Sequence, residues 1–144
     1  MQPFIYDGLP CRVIFGTGTL DGLASEIDRL DAKRALVLST PEQSKAANDL
    51  AASIGTRAAG VFTRATMHTP VDVTEAAMQE VRSSGADCTV ALGGGSTIGL
   101  GKAIALRTDL PQIAVPTTYA GSEMTPIIGE TAGGKKTTQR TLKV

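Results

Sequence analysis

Four short apolar runs mark the chain: "RALVLS" (34–39), "AAGVF" (58–62), "CTVAL" (88–92) and "QIAVP" (112–116). Each is nearly continuous rather than alternating. That pattern suits strands covered on both faces in a parallel sheet. Between the runs, apolar residues recur at helical spacing. "TLDGLASEIDRL" places Leu20, Leu23, Ala24, Ile27 and Leu30 on one stripe. "EQSKAANDLAASIG" does the same with Ala46, Ala47, Leu50, Ala51 and Ile54, and Gly55 is placed to end that helix. "VDVTEAAMQEVRSSG" follows Pro70 and stops at Gly85. "STIGLGKAIALR" is small and apolar almost all round, as a helix pressed against a sheet should be.

Alternation of this kind predicts right-handed βαβ units and an α/β fold with a doubly wound, mostly parallel sheet. Two segments stand apart. "FIY…CRVIFG" (4–16) reads as two extended pieces, a hairpin at the sheet edge. "PIIGE" and "KKTTQ" flank Ala132-Gly133-Gly134 and read as a β-hairpin near the end of the chain. Apolar character returns as the sequence stops at Val144, which leads us to expect a truncated domain.

Composition narrows the classes. The 144 residues fit one domain, and 42% apolar content is that of a globular protein. Fourteen basic and fourteen acidic residues cancel, so no field favours nucleic acid or an anionic membrane. The N-terminal stretch lacks the pattern of a secretory signal, and no apolar run is long enough to span a bilayer. Neither Cys11 nor Cys88 has zinc-type spacing, and Cys88 reads as a buried thiol. The expected setting is the cytoplasm.

The candidate chemistry lies in "ALGGGSTIGLGK" (91–102). A glycine-rich turn from strand to helix presents free amides and the positive end of the helix dipole. Glycine also lets a phosphate approach without meeting a Cβ. Gly93, Gly94, Gly95, Ser96 and Thr97 are therefore a candidate diphosphate site, although a tight, closely packed turn would also use glycine. Two familiar loops fail here. A Walker A loop ending at Gly101-Lys102 needs glycine at 96 and a hydroxyl at 103, where Ser96 and Ala103 stand. A GxGxxG fingerprint from Gly93 needs glycine at 98, where Ile98 stands.

A second polar loop, "PTTYAGSEMT" (116–125), follows the next predicted strand and so reaches the same sheet edge. It offers Thr117, Thr118, Tyr119, Ser122 and Glu123; the plainer reading is a polar loop with Ser122 capping a short helix. At the tip of the first strand stand Ser39 and Thr40, with no acid to grip an adenosine ribose, so NADH and NADPH should be weakly discriminated. His68, the only histidine, reads as a surface loop residue. No metal-binding set has sensible spacing.

Three motifs in order, "VIFGTGTL", "ALGGGSTIGLGKAIAL" and "PTTYAGSEMTPIIGETAGGKKTT", resemble the iron-containing alcohol dehydrogenase superfamily. That superfamily is similar in fold to dehydroquinate synthase. Within it the chain resembles the N-terminal part of the maleylacetate reductase branch. The resemblance implies a Rossmann-like NAD(P)H-binding domain over 1–144, followed by an all-helical domain that this chain lacks. It implies that residues 93–97 hold the pyrophosphate, and that Thr117 and Thr118, with Tyr119 and Ser122 in the same loop, lie near the nicotinamide. It implies that Lys136 faces the coenzyme from the hairpin, and that Ser39 and Thr40 border the adenosine. Catalytic residues and metal positions are implied for the helical domain, so none is assigned in this chain. The implied reaction is reduction of maleylacetate, a small-molecule substrate, to 3-oxoadipate in bacterial breakdown of aromatic compounds, by a full-length homodimer. This sequence departs from the superfamily at Gly99, where many members carry aspartate, and in its shortened loop at Tyr119 and Ala120. Two other functions stay open: a metal-dependent alcohol or aldehyde dehydrogenase, and a nucleotide-binding module without catalysis.

Overall fold

The computed structural model describes residues 10–144. Four parallel strands form one sheet in the order β2-β1-β3-β4. They are β1 (Ala35–Leu38), β2 (Ala58–Phe62), β3 (Cys88–Gly93) and β4 (Gln112–Pro116). Strand β1 pairs on either side with β2 and β3, and β3 pairs with β4. The four apolar runs thus become the four strands.

Helices cover both faces. Alternate residues of a strand point to opposite sides, so each strand serves two cores. Ala35, Val37, Cys88, Val90 and Leu92 pack with α1 (Leu23–Arg29) and α2 (Ser44–Ser53). Leu36, Leu38, Phe62 and Ala91 pack with α3 (Val71–Ser84) and α4 (Gly95–Thr108). This double burial is why the runs are continuously apolar. Helix α4 is the most enclosed, with Thr97 through Ala105 all buried. Beyond it, β5 (Ile127–Ala132) and β6 (Lys135–Arg140) form the expected antiparallel hairpin. Gly133 and Gly134, at φ 54° and 76°, make its two-residue turn. Positive φ at both positions matches the twist of the paired strands.

Several expectations are adjusted. The first piece of the 4–16 hairpin, residues 4–6, lies outside the described residues, and residues 10–15 join no ladder among the described ones. The first helix opens as a 3-10 turn over Thr19–Gly22, which leaves Leu20 exposed, and Leu30 lies exposed beyond its end. Ala46 faces solvent, because the buried stripe of α2 is Ala47, Leu50 and Ala51. Ser122 opens the 3-10 turn Ser122–Met124 but caps nothing; Gly121 holds the cap position, without a side-chain bond. Among the described residues no helix is long and apolar enough to cross a membrane.

Cys88 is fully buried, and burial, with a smaller push from Asp87, raises its thiol to about 12. Cys11 is exposed. An alkylating reagent at about pH 8 is therefore expected to label Cys11 and spare Cys88 until the protein unfolds. Mass spectrometry of labelled native and denatured protein checks this. Because the folded thiol binds its proton more tightly than the unfolded one, its contribution to stability is complete below pH 9.0 and is lost as the pH climbs towards about 12.

Candidate functional site

The chain leaves β1 for β2 on one side, then crosses to β3 on the other. The carboxyl ends of β1 and β3 therefore flank a switch point, where ligands of open α/β sheets bind. The loops after β1, β3 and β4 all reach this edge. Gln43, in the 3-10 turn Pro41–Gln43, donates from Nε2 to Thr117 Oγ1 at 3.0 Å. This one side chain links the loops after β1 and β4 across the end of β3.

The glycine turn is closely packed on its inner side. Gly93 ends β3 at φ 155°, and a Cβ there would strike the Thr97 hydroxyl. A Cβ on Gly94 would lie 2.9 Å from Thr118 Oγ1. The outer side is open. Gly95 is exposed and Ser96 half-buried at the start of α4, where their two amides have no acceptor within the helix, while the Thr97 N–H bonds back to the Gly94 carbonyl at 3.1 Å. Thr97 is fully buried, and its hydroxyl has no hydrogen-bond partner. An orphaned hydroxyl in such a place costs about 1–3 kcal/mol unless something completes it.

A cleft of about 330 Å³ opens at Gly95, Ser96 and Gly99. Its other walls are Ser122, the loop 67–69, and Ile127, Ile128, Gly129 and Lys136 of the hairpin. Of the residues expected at the site, Gly95, Ser96, Ser122 and Lys136 line this cleft. Gly93 and Thr97 lie behind it, and Gly94 is packed on Thr118. Thr117 and Thr118 form the adjoining rim, and Tyr119 is fully exposed. At the far loop, Ser39 is completely buried and donates from Oγ to the Thr40 carbonyl, 3.1 Å away. Thr40 is half-buried. The Glu42 carboxyl is held below its ordinary value, first by its own backbone N–H and then by the Thr40 hydroxyl.

Three residues of the site carried little or no sequence signal. Gln43 looks like any polar residue before a helix. His68 has no ligand-type neighbours in sequence, yet it stands on the cleft wall. Lys102 has no motif signal beyond its failed match to a Walker loop. It is buried, and its Nζ donates to the carbonyls of Thr125 at 2.5 Å and Ile127 at 2.9 Å. Burial pushes its ammonium below the ordinary lysine value, and nearby Glu123 opposes this. A charge inside an apolar helix was the one available clue.

Such a corner suits a dinucleotide. Open first-turn amides, an orphaned hydroxyl behind them and a lysine on the facing hairpin are complementary to a diphosphate. Among the described residues no three His, Cys, Asp or Glu side chains form a group that could hold a metal ion.

Residues 10–143 match the family profile described as iron-containing alcohol dehydrogenase. A maleylacetate reductase of Rhizobium sp. (strain MTP-10005) is 64% identical over 140 residues, which are 97% of this chain and 40% of that relative. A maleylacetate reductase of Sphingobium indicum is 57% identical, covering 98% of this chain and 40% of its own length. The crystal structure of maleylacetate reductase from Agrobacterium tumefaciens superposes with a TM-score of 0.94 at 59% identity, over 99% of this chain and 41% of that one. The chain spans about 40% of the length of the curated relatives it matches.

Proposed function

The chain belongs to the iron-containing alcohol dehydrogenase family, and from that premise we propose that it is the NAD(P)H-binding part of a maleylacetate reductase. Residues 1–144 form the coenzyme domain, and a helical domain completes the active site in the full-length protein. The reaction adds a hydride and a proton across the carbon–carbon double bond of maleylacetate, giving 3-oxoadipate. The coenzyme, when bound, supplies the hydride.

This chain's residues bind and orient. The amides of Gly95 and Ser96 take the diphosphate, with the Thr97 hydroxyl behind them. Thr117 and Thr118 border the nicotinamide half, and Gln43 holds Thr117 in place. Lys136 faces the same space from β6. Thr40 borders the adenosine, while Ser39 supports that loop from within. The observation that carries the reading is the cleft at the switch point, walled by the first turn of α4 at Gly95 and Ser96 and faced by Lys136.

The test is turnover of maleylacetate by the full-length protein, followed by loss of reduced-coenzyme absorbance. Both NADH and NADPH are expected to serve, with kcat/KM values within ~tenfold of each other, because neither Ser39 nor Thr40 carries a carboxylate and Glu42 is engaged by its own backbone N–H and the Thr40 hydroxyl. Thr40→Asp adds a carboxylate to the loop that would border the adenosine ribose, where it would repel a 2′-phosphate. It is expected to lower kcat/KM for NADPH by at least ~tenfold while sparing NADH. No turnover with either coenzyme would refute the function, and an unchanged coenzyme ratio in the variant would remove Thr40 from the adenosine site.

A further inference from the structure

Among the described residues four non-glycine ones have positive φ: Asp31, His68, Thr69 and Asp109. Asp31 and Asp109 follow the ends of α1 and α4, where left-handed backbone is ordinary. His68 and Thr69, at φ 66° and 45°, end no helix; they precede α3. Consecutive strained residues persist only where the surroundings hold them, and such strain gathers at functional sites.

The surroundings here are specific. Thr69 is buried, and its carbonyl accepts from Thr131 N–H of β5 at 3.2 Å. Pro70 bridges to the same Thr131. On the other side Thr69 Oγ1 presses on α4 at Gly99, where a Cβ would come within 2.6 Å of it. Only glycine at 99 lets the loop sit this close. The clamp between α4 and the hairpin puts His68 on the cleft wall, itself exposed.

The lining of the cleft contains no aspartate or glutamate. Its two ionisable side chains are His68 and Lys136, joined by the hydroxyls of Thr69, Ser96 and Ser122. Such a wall attracts anions. The α4 amides and Lys136 suit one anionic group, the diphosphate. A second anion in the same cleft needs a donor of its own, and His68 is the group left for it.

We propose that His68 binds a carboxylate of the organic-acid substrate, fixing its orientation beside the coenzyme. This rests on the reductase function proposed above. The ligand class is a short dicarboxylate, bound by hydrogen bonds from the imidazole.

The test is His68→Asn in the full-length protein, because asparagine tolerates left-handed backbone and so keeps the loop. KM for maleylacetate is expected to rise at least ~tenfold, kcat to change less than ~threefold, and the Kd for NADH to stay within ~twofold. In parallel, maleate, an inert dicarboxylate, is titrated calorimetrically into the NADH complexes. The variant should bind it at least ~tenfold more weakly than the wild type. Equal KM and equal maleate affinity in the two proteins would overturn the proposal. So would a loss confined to NADH affinity, which would give His68 to the coenzyme phosphates instead. If the wild type fails to reduce maleylacetate but binds maleate through His68, the reductase reading falls and the carboxylate site stands.

Discussion

Gly94→Val is expected to weaken NADH binding by the full-length protein at least ~100-fold, about 2.7 kcal/mol. A side chain at 94 has no room on the inner side of the turn: its Cβ would lie 2.9 Å from Thr118 Oγ1 and 3.1 Å from Thr118 Cγ2. Valine then displaces either the loop after β4 or the first turn of α4. Either movement separates the Gly95 and Ser96 amides from the rim at Thr117 and Thr118. The cause is thus not direct occupation of the diphosphate's space, as a glycine cradle first suggests, but loss of register between two loops. A double variant separates the steps. Adding Thr118→Ala removes the colliding atoms and should recover part of the affinity, with an interaction energy of about 1 kcal/mol. Calorimetric titration with NADH measures all four proteins of the cycle: wild type, Gly94→Val, Thr118→Ala and the double variant. Wild-type affinity in Gly94→Val, with the circular dichroism spectrum unchanged, would dismiss the turn as the coenzyme site.

Lys102→Met is expected to destabilise the protein by about 2–4 kcal/mol. Methionine fills similar volume but donates nothing. The carbonyls of Thr125 and Ile127 lose the donor that ties the approach to β5 onto α4. Urea unfolding checks this; the midpoint should fall with little change in slope. The pH dependence has a defined sign. The folded value of Lys102 is lowered, so its contribution is full above the unfolded value of 10.5 and declines as the pH falls through the folded value. The gap between wild type and variant should therefore widen as the solution is made more alkaline. A change below about 0.5 kcal/mol would show that the lysine is merely accommodated.

The sheet was legible because parallel strands buried on two faces are apolar at nearly every position, and 88–92 departs only at Thr89 and 112–116 only at Gln112. The hairpin was legible because two adjacent glycines satisfy its turn. The glycine loop was legible as a place, between a strand and a helix, but not in its contacts. Which side of it is packed depends on Thr118 and Gln43, which approach from 24 and 50 residues away in sequence and leave no local mark. His68 stayed hidden for a related reason: its clamp needs Gly99 and Thr131, and only folding brings the three together. Ser39 looked available at a strand tip, yet its backbone bonds to Phe62 and Ala65 draw it inside. Local pattern carries element type; long-range packing decides which side chains remain accessible.

Strand β6 has a partner on one side only among the described residues, and all six of its residues are uncovered. A bare rim of that sort is a template on which another polypeptide could lengthen the ladder. Here a centred antiparallel copy would set Lys135 of one molecule against Arg140 of the next, twice over. Repulsion between those cations disfavours that pairing.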